Sequence, residues 1–366
     1  MALNERVKLF SQGRLLIYLL TRLFSLNDRL LSAELWEALY EGIAKGLRSL
    51  ALPVPPNPIF VPFRDTKEDL INSPERSKII YDADIERMNR LFACIGFVES
   101  PSKDPGIGME VGYAYGKGVP TILLNTDFIW YRSLANLKLE FIVDPVVDSI
   151  MSKMIHVHRM VNLKKGTDMP HAVNDEYQNR LIKSKEAIFS LASGIAKDLV
   201  VSYDKYIPKL PIASSARGSE RVVYVDLAGG KYEWAQEYAR HISQQLRARG
   251  VRVYESCRHN RQQQKQLDSK NGMVSNQLGW IDIQHCLEAD VVVVGADGNE
   301  MDIGTAAIHG LAAALDKKII MYYSGNVECY GDGQQVMYQN LMLDYSASYI
   351  AKELEEVIMH AIKILA

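Results

Sequence analysis

The chain has 366 residues, of which 48% are apolar and 23% are charged, and its formal net charge is −2. This length and composition suit two globular domains and exclude a disordered chain, while the nearly neutral charge argues against a protein that binds nucleic-acid polymers. The apolar stretch Leu15–Phe24 is too short to span a membrane, so we expect a soluble cytoplasmic protein. A disulfide scaffold or zinc ribbon is not indicated, because no CxxC spacing joins the cysteines Cys94, Cys257, Cys286 and Cys329.

In the first part of the chain, strands and helices are predicted to alternate. A short apolar strand precedes an amphipathic helix with apolar residues at three- and four-residue spacing, and a second strand follows. A polar loop and another helix lead into a continuous apolar strand, and then a glycine-bearing turn, a helix and a last strand complete the unit. The predicted elements are strands at Leu15–Tyr18, Ile59–Phe63, Phe92–Val98 and Thr121–Leu124, with the first helix near Leu30–Leu50.

The same order of elements returns in the second part of the chain. Shifted by 198 residues, the segment 84–122 aligns without a gap on 282–320 with seven identities, where composition alone gives roughly two or three. We therefore interpret the chain as a tandem duplication. The identical pairs are Asp84 and Asp282, Ile85 and Ile283, Asp104 and Asp302, Gly106 and Gly304, Gly112 and Gly310, Ala114 and Ala312, and Ile122 and Ile320. The second copy has predicted strands at Arg221–Leu227, Val251–Tyr254, Val291–Val294 and Ile319–Tyr322, and a helix near Trp234–Arg249.

These alternating elements predict an α/β fold with two flavodoxin- or Rossmann-like domains. The strand runs lack period-2 alternation, which is typical of parallel strands covered on both faces, and ligands of such folds bind at the carboxyl ends of the strands. The segment 146–204 is predicted to be mostly helical, and 207–220 is rich in proline, glycine and serine. We predict a first domain at 1–206 with a helical extension, a linker at 207–220 and a second domain at 221–366.

The segment from Asp104 to Gly112 carries the strongest signal for chemistry. Several glycines with an acid near each end follow an apolar strand and open a helix, so the backbone there can approach a ligand closely. The glycines are spaced as GxGxxxG and no GxxxxGK[ST] follows, which makes dinucleotide and P-loop sites weak interpretations. Glu110 would face the cleft and suits nucleophilic or acid/base work on a sugar carbon, although a solvated helix acid is an open alternative. The second copy keeps Asp302 and Gly304 but has Ile308 at the position of Glu110, which indicates one working site and one degenerate site.

Together these residues resemble the signature of the nucleoside 2-deoxyribosyltransferase family. The resemblance covers roughly 14–145 and 221–366. It is carried by Asp84, Asp104-x-Gly106, Glu110 and Gly112, and also by Ile17-Tyr18 with Phe24, Val61-Pro62, Lys117-Gly-Val-Pro-Thr-Ile and Asn340-Leu-Met342-Leu. A departure is Ile107-Gly108, where the family usually has a small hydroxyl residue after the glycine.

The resemblance implies roles for individual residues. Glu110 matches the nucleophile that attacks C1′ of the deoxyribose, and Asp84 and Asp104 match acids that bind the base and assist its departure. Tyr18 matches a tyrosine that orients the nucleophile, and Phe24 an aromatic residue of the base pocket. The expected reaction transfers a 2-deoxyribosyl group between nucleobases through a covalent glycosyl-Glu intermediate with net retention.

Asn340 and Met342 match residues that the family supplies from a neighbouring subunit. In this chain the neighbour is expected to be the second copy, so the two copies would form an intramolecular pseudodimer. By the same symmetry, Asn136 would face the second site near Asp282, Asp302 and Ile308, whose ligand binding we leave open.

The predicted partners are nucleosides and free nucleobases, with no nucleic-acid polymer and no membrane, and with homo-oligomers of the pseudodimer as a possibility. The resemblance implies no metal and no organic cofactor. His156-x-His158 is not interpreted as a metal site, because it falls in a predicted helix where the two rings point to different faces. Two alternatives stay open. One is an N-glycoside hydrolase of nucleosides or of nucleoside 5′-monophosphates, and the other is a non-catalytic nucleoside sensor.

Overall fold

The structure is a computed structural model, and within the residues it describes most strands belong to two parallel sheets, one in each half of the chain. It describes residues 4–21, 26–66, 74–98, 104–125, 131–132, 140–141, 143–156, 175–209, 220–227, 233–257, 275–297, 301–325, 329–330, 336–337 and 340–366. No helix in this part of the chain is both long enough and apolar enough to cross a membrane.

The first sheet has five parallel strands in the order β2-β1-β3-β4-β7. Strand β1 lies between β2 and β3, with Tyr18 opposite Phe60 on one side and Cys94 on the other. The strands are β1 (Leu16–Leu20), β2 (Ile59–Phe60), β3 (Leu91–Phe97), β4 (Thr121–Asn125) and β7 (Lys153–His156), and a short antiparallel pair, β5 (Tyr131–Arg132) and β6 (Glu140–Phe141), comes before β7 in the chain.

Helices connect and cover these strands. The helices that start at Pro105 and Pro145 share one capping arrangement, in which an aspartate caps the amino end and the proline occupies the first helical position. The helices are α1 (Glu5–Ser11), α2 (Leu26–Ser49), α3 (Pro62–Thr66), α4 (Pro74–Met88), α5 (Pro105–Gly116), α6 (Pro145–Ile150) and α7 (Asp175–Val201), and a 3-10 turn follows at Tyr203–Lys205.

The second sheet repeats the first, in the order β9-β8-β10-β11-β14. Its strands are β8 (Val222–Asp226), β9 (Arg252–Glu255), β10 (Val291–Gly295), β11 (Lys318–Tyr322) and β14 (Tyr349–Ala351), with a short pair β12 (Cys329–Tyr330) and β13 (Val336–Met337). Its helices are α8 (Glu233–Arg247), α9 (Ser275–Glu288), α10 (Ile303–Ala314), α11 (Leu341–Ser346) and α12 (Leu354–Leu365). Both sheets have the flavodoxin-like 2-1-3-4-5 order, so the predicted fold class is confirmed.

The fifth strand of each sheet is absent from the sequence prediction. The segment 146–204 was predicted to be mostly helical, but Lys153–His156 forms β7 and pairs with β4. The prediction that His156 lies in a helix is therefore wrong, and His158 lies outside the described residues. A short edge strand bonds to one neighbour only and shows little periodicity, which explains why this strand and its counterpart β14 were missed.

The two repeats pack against each other through α5 and α10. A Cβ atom added to Gly112 would overlap the carbonyl oxygen of Ala307, and one added to Gly310 would overlap the carbonyl oxygen of Met109. Such close approach of two helix backbones is possible only where a side chain is missing. One continuous apolar core joins the facing sides of both sheets, including Tyr18 and Val111 from the first repeat and Tyr224 and Ile308 from the second.

The long helix α7 covers the outer face of the first sheet together with α2. A Cβ atom on Gly42 of α2 would overlap the carbonyl oxygen of Ser193 in α7, so these helices also meet at backbone distance. Apolar side chains of α7 such as Ile188 and Leu199 join the core of this face. The helix that precedes the predicted linker thus packs onto the first sheet.

A buried histidine at the junction of α10 and α11 makes stability sensitive to acid. Burial lowers the pKa of His309 to about 3, and its Nε2 atom lies 2.7 Å from Oγ of Ser346. In the unfolded chain this histidine has an ordinary pKa near 6.5 and is protonated below that pH, whereas in the folded chain it stays neutral. As the pH falls from about 6.5 to about 3, we therefore expect this group to lower the free energy of unfolding with a slope that approaches about 1.4 kcal/mol per pH unit, and we expect little effect above about pH 7.

Denaturant unfolding at pH 7, 6 and 5 measures this dependence, with His309→Gln as the comparison because glutamine keeps a polar group near Ser346. The variant should lose that part of the pH slope. Parallel slopes in the two proteins would contradict the assignment to His309.

Candidate active site

The candidate site of the first repeat lies where β1 and β3 end and α5 begins. The strand order reverses between these two strands, and the crevice at such a switch point is the usual ligand site of an open α/β sheet. Strand β3 ends at Phe97, and α5 begins directly after its capping residue Asp104 in the chain. The site is therefore built from a strand end and the first turns of a helix.

A buried carboxylate and a phenol form its centre. The hydroxyl of Tyr18 donates a 2.7 Å hydrogen bond to Oε1 of Glu110, and this bond is buried. Glu110 is only 8% exposed although it lies in the second turn of a helix, because α5 is buried along almost its whole length. The alternative of a solvated helix acid is thus excluded by its burial.

The surroundings of this pair are apolar and hold the phenol ring in place. Tyr18 has no exposed surface, and its ring centroid lies 5.3 Å from that of Phe60 on β2. On the other side of Tyr18, Cys94 of β3 is fully buried. Burial raises the pKa of the Cys94 thiol, and the negative charge of Glu110 raises it further, as expected where the carboxylate faces these strands.

A second group of polar atoms surrounds Gly106 in the first turn of α5. The Oδ1 atom of Asp104 accepts a 2.7 Å hydrogen bond from the Gly106 N–H. A Cβ atom on Gly106 would overlap Nδ2 of Asn340, so the asparagine amide from the second repeat lies directly against the first turn of α5. Asn340 also caps α11, because its Oδ1 accepts a 2.9 Å hydrogen bond from the Met342 N–H.

The remaining predicted residues are distributed as follows. Asp84, which is 2% exposed, lies on α4, and α4 contacts β1, α5 and α11. Met342 is buried in the core that joins the repeats. Phe24 lies outside the described residues, so its predicted place in a base pocket is untested.

The equivalent region of the second repeat keeps the frame and loses the acid. Tyr224 pairs with Val292 in the register in which Tyr18 pairs with Cys94, so Tyr224 is the counterpart of Tyr18. Asp302 caps α10 through hydrogen bonds from Gly304 and Thr305, as Asp104 caps α5. Ile308, with no exposed surface, fills the position of Glu110.

The glycines of α5 serve a purpose that the sequence analysis missed. They were interpreted as allowing the backbone to approach a ligand, but Cβ atoms on Gly108 and Gly112 would overlap carbonyl oxygens of Ile303 and Ala307 in α10. These two glycines are therefore required by helix packing. A sequence signal existed, since glycines repeat at four-residue spacing at 108, 112 and 116 and so share one helix face.

The counterpart of Asn340 in the first repeat is Asp144. Asp144 caps the six-residue helix α6 through a 2.7 Å hydrogen bond from Val146, and α6 contacts α9 as α11 contacts α4. Asn136, which was expected at this position, lies outside the described residues. The signal for Asp144 was its place before Pro145, which is typical of a helix start.

Comparisons with known proteins agree with this architecture. A family model described as nucleoside 2-deoxyribosyltransferase matches residues 24–167 and again residues 224–342, together more than half of the chain. No curated protein sequence gives a significant match.

Two solved structures are each similar to part of this chain. A crystal structure of a protein from Enterococcus faecalis V583, described as conserved, has 16% identity and a TM-score of 0.32, covering 39% of this chain and 98% of its own. A 2-deoxyribosyltransferase from Bacillus psychrosaccharolyticus has 17% identity and a TM-score of 0.27, covering 38% of this chain and 84% of its own. At these TM-scores the match to the family model is what identifies the family.

Proposed function

The chain belongs to the nucleoside 2-deoxyribosyltransferase family, and from this premise we propose that its first repeat transfers a 2-deoxyribosyl group between nucleobases. The observation that carries the proposal is the buried 2.7 Å hydrogen bond from Tyr18 to Glu110. A carboxylate held in place beside a phenol, in an apolar cleft, is suited to act as a nucleophile. A nucleoside sensor has no need of such a pair, so its burial favours an enzyme.

In the proposed first step, a carboxylate oxygen of Glu110 forms a bond to C1′ while the bond from C1′ to the base nitrogen breaks. The electron pair of that bond leaves with the base, which takes a proton from the carboxylic acid form of Asp84, while Asp104 keeps its place as the capping carboxylate of α5. Tyr18 positions the carboxylate but does not touch the sugar carbon. A deoxyribosyl group has no 2-hydroxyl to withdraw electrons from its oxocarbenium-like transition state, so this state forms more easily than it does in a ribosyl group.

In the second step, a nitrogen of another base attacks C1′ from the vacated face. The ester bond to Glu110 breaks, the carboxylate regains its charge, and the proton of the incoming base returns to the acid. Two displacements at the same carbon give net retention. With water as the acceptor the same steps give an N-glycoside hydrolase, which is the second candidate.

The cap of α5 supports unphosphorylated nucleosides as substrates. A helix amino end is a favourable place for a phosphate, but here the carboxylate of Asp104 already accepts the Gly106 N–H. A substrate phosphate at this position would meet a like charge. This charge favours nucleosides over their 5′-monophosphates.

We further propose that the two repeats act as a pseudodimer, with domains at 1–206 and 221–366 and a linker at 207–220. The contact of Asn340 with Gly106 supports this proposal, because the second repeat thereby contributes a polar group to the first repeat's site. The absence of an acid at Ile308 does not conflict with such a supporting role.

Chromatography of the purified protein with one deoxynucleoside, with and without a different free base, tests the proposed function. A new deoxynucleoside that appears only with the added base supports transfer. Release of free base at the same rate without an acceptor identifies a hydrolase. Ligand binding without any turnover would overturn both and support a sensor.

Replacing Tyr18 with phenylalanine should lower kcat by about 10–100-fold, because a hydrogen bond to a charged group contributes about 1.5–3 kcal/mol. Tyr18 acts through Glu110, so KM should change much less than kcat. The matched control is Tyr224→Phe, which alters the equivalent position of the second repeat. Equal effects of the two substitutions on kcat would contradict the assignment.

Two substitutions of Asn340 should distinguish its role as the cap of α11 from the role of its amide beside Gly106. Asn340→Ala removes both the cap of α11 and the amide beside Gly106, so we expect a loss of about 1 kcal/mol of stability together with a loss of activity. Asn340→Ser keeps a capping oxygen and should lose activity at nearly unchanged stability. Steady-state kinetics and denaturant unfolding of both variants measure this, and full activity in Asn340→Ser would contradict the role of the amide.

A further inference from the structure

A group of three side chains in the second repeat has the composition of a metal site. The potential ligand atoms of Cys257, Asp282 and His285 all lie within 4.8 Å of one another. Cys257 and Asp282 are buried and His285 is partly buried. Cys257 follows β9, while Asp282 and His285 lie three residues apart on α9 and therefore on one helix face.

In the second repeat, this group lies at the place equivalent to that of Asp84 in the first repeat, where the resemblance implies that the base binds. Asp282 is the counterpart of Asp84, and His285 is the counterpart of Arg87 at the same shift of 198 residues. The ring contacts agree, since Arg87 lies over Phe60 and His285 stacks on Tyr254 at the equivalent place in its sheet. The second repeat thus has an imidazole where the first has a guanidinium, and a thiol joins it.

The structure holds two of the three side chains in fixed positions. Asp282 accepts hydrogen bonds from the N–H of Cys257 at 2.7 Å and from Oγ of Ser256 at 2.9 Å. The ring of His285 stacks on Tyr254 with centroids 4.1 Å apart and planes 7° from parallel. Hydrogen-bonded carboxylates and fixed imidazoles are typical of the ligands in metal sites.

The imidazole also lacks a partner that its burial calls for. Nδ1 of His285 is buried and forms no hydrogen bond with the described residues. A buried polar atom without a partner costs about 1–3 kcal/mol, so a protein rarely keeps one without a reason. A cation bound at this nitrogen would meet this requirement.

We propose that Cys257, Asp282 and His285 bind a Zn²⁺ ion in the second repeat. Thiolate sulfur, imidazole nitrogen and carboxylate oxygen are the ligands that zinc takes in proteins. In a tetrahedral site these ligand atoms lie about 3.3–3.6 Å apart, so binding requires them to close by little more than an ångström. Three protein ligands leave a fourth coordination position for water or for another small ligand.

Cobalt binding to the full-length chain tests the proposal, because Co²⁺ replaces zinc and reports on its ligands by colour. After chelator treatment, one equivalent of Co²⁺ should produce a thiolate-to-cobalt charge-transfer band, and Zn²⁺ should abolish it. Cys257→Ser and His285→Gln should each remove the band or weaken Co²⁺ affinity at least about tenfold. The control is Cys286→Ala, which removes the neighbouring buried thiol and should leave the band unchanged.

A wild-type chain without the band, or a band that persists in Cys257→Ser, would overturn the proposal. X-ray absorption of the zinc-loaded wild-type chain decides without any variant that has to fold. One sulfur at about 2.3 Å with the remaining ligands nitrogen or oxygen supports the site, and any other ligand set overturns it. Neither readout depends on the transfer activity of the first repeat.

Discussion

Replacing Glu110 with glutamine is expected to abolish transfer, with kcat lower by at least about 10⁴-fold, while the protein stays folded. Loss of a covalent nucleophile has effects of this size in enzymes where it has been measured. Glutamine has nearly the same shape and keeps an oxygen that can accept the hydrogen bond from Tyr18. Its amide, however, is a far weaker nucleophile than a carboxylate. The loss would therefore come from chemistry and not from the fold.

Two comparisons sharpen this experiment. Glu110→Ala also removes the nucleophile, but it leaves the buried hydroxyl of Tyr18 without this acceptor, so it should lower stability by about 1–3 kcal/mol in addition. Ile308→Val changes the equivalent position of the second repeat, at a cost of about 0.5–1.5 kcal/mol of stability, and should keep activity. Denaturant unfolding beside steady-state kinetics separates the two effects.

Trapping the covalent intermediate tests directly whether Glu110 is the nucleophile. Incubation with a deoxynucleoside in the absence of an acceptor should add a deoxyribosyl mass to the peptide that contains Glu110, and mass spectrometry detects it. No adduct should form in Glu110→Gln. Substantial transfer by the glutamine variant would show that another group is the nucleophile and would refute the proposed mechanism.

The fold could be predicted because its strands are buried on both faces. Runs such as Phe92–Val98 and Val291–Val294 show no alternation, and a helical pattern follows each strand, so parallel sheets were the natural interpretation. The same order of predicted strands and helices in both halves of the chain supported this interpretation a second time. What failed were β7 and β14, since three or four residues at a sheet edge lack a pattern that distinguishes them from a helix or a loop.

The candidate site was predictable in part, for a different reason. The comparison of Glu110 with Ile308 within one chain separates what folding needs from what chemistry needs, and this pointed to Glu110 from the sequence itself. The contact of Tyr18 with Glu110 and that of Asn340 with Gly106 join distant parts of the chain. No periodicity reports such contacts, so their prediction depended on the family resemblance.

The glycines of α5 show where the sequence signal is ambiguous. Glycine permits the close approach of any backbone, and a ligand and a second helix make the same demand on it. In the structure, Gly108 and Gly112 allow the close approach of α10, while Gly106 lies beside Asn340. This assignment makes the spacing of α5 from α10 a condition for the site.

Replacing Gly112 with alanine should therefore lower both stability and activity. The new Cβ atom would overlap the carbonyl oxygen of Ala307, and a backbone atom cannot rotate away, so α5 and α10 must separate. Overpacking of this kind costs about 3 kcal/mol, even though alanine is by itself a better helix former than glycine. Separation of the helices would also move Gly106 away from Asn340, so we expect kcat per folded molecule to fall.

Gly194→Ala is the matched control, because Gly194 lies in α7 with nothing within 4 Å of an added Cβ atom. It should stabilise the protein by about 0.5–1 kcal/mol through helix propensity alone and leave activity unchanged. Guanidinium unfolding and steady-state kinetics of both variants give the comparison. If Gly112→Ala were as stable as Gly194→Ala, the two helices would not be in backbone contact. If it were destabilised but fully active when folded, the site would not depend on how the second repeat is seated against the first.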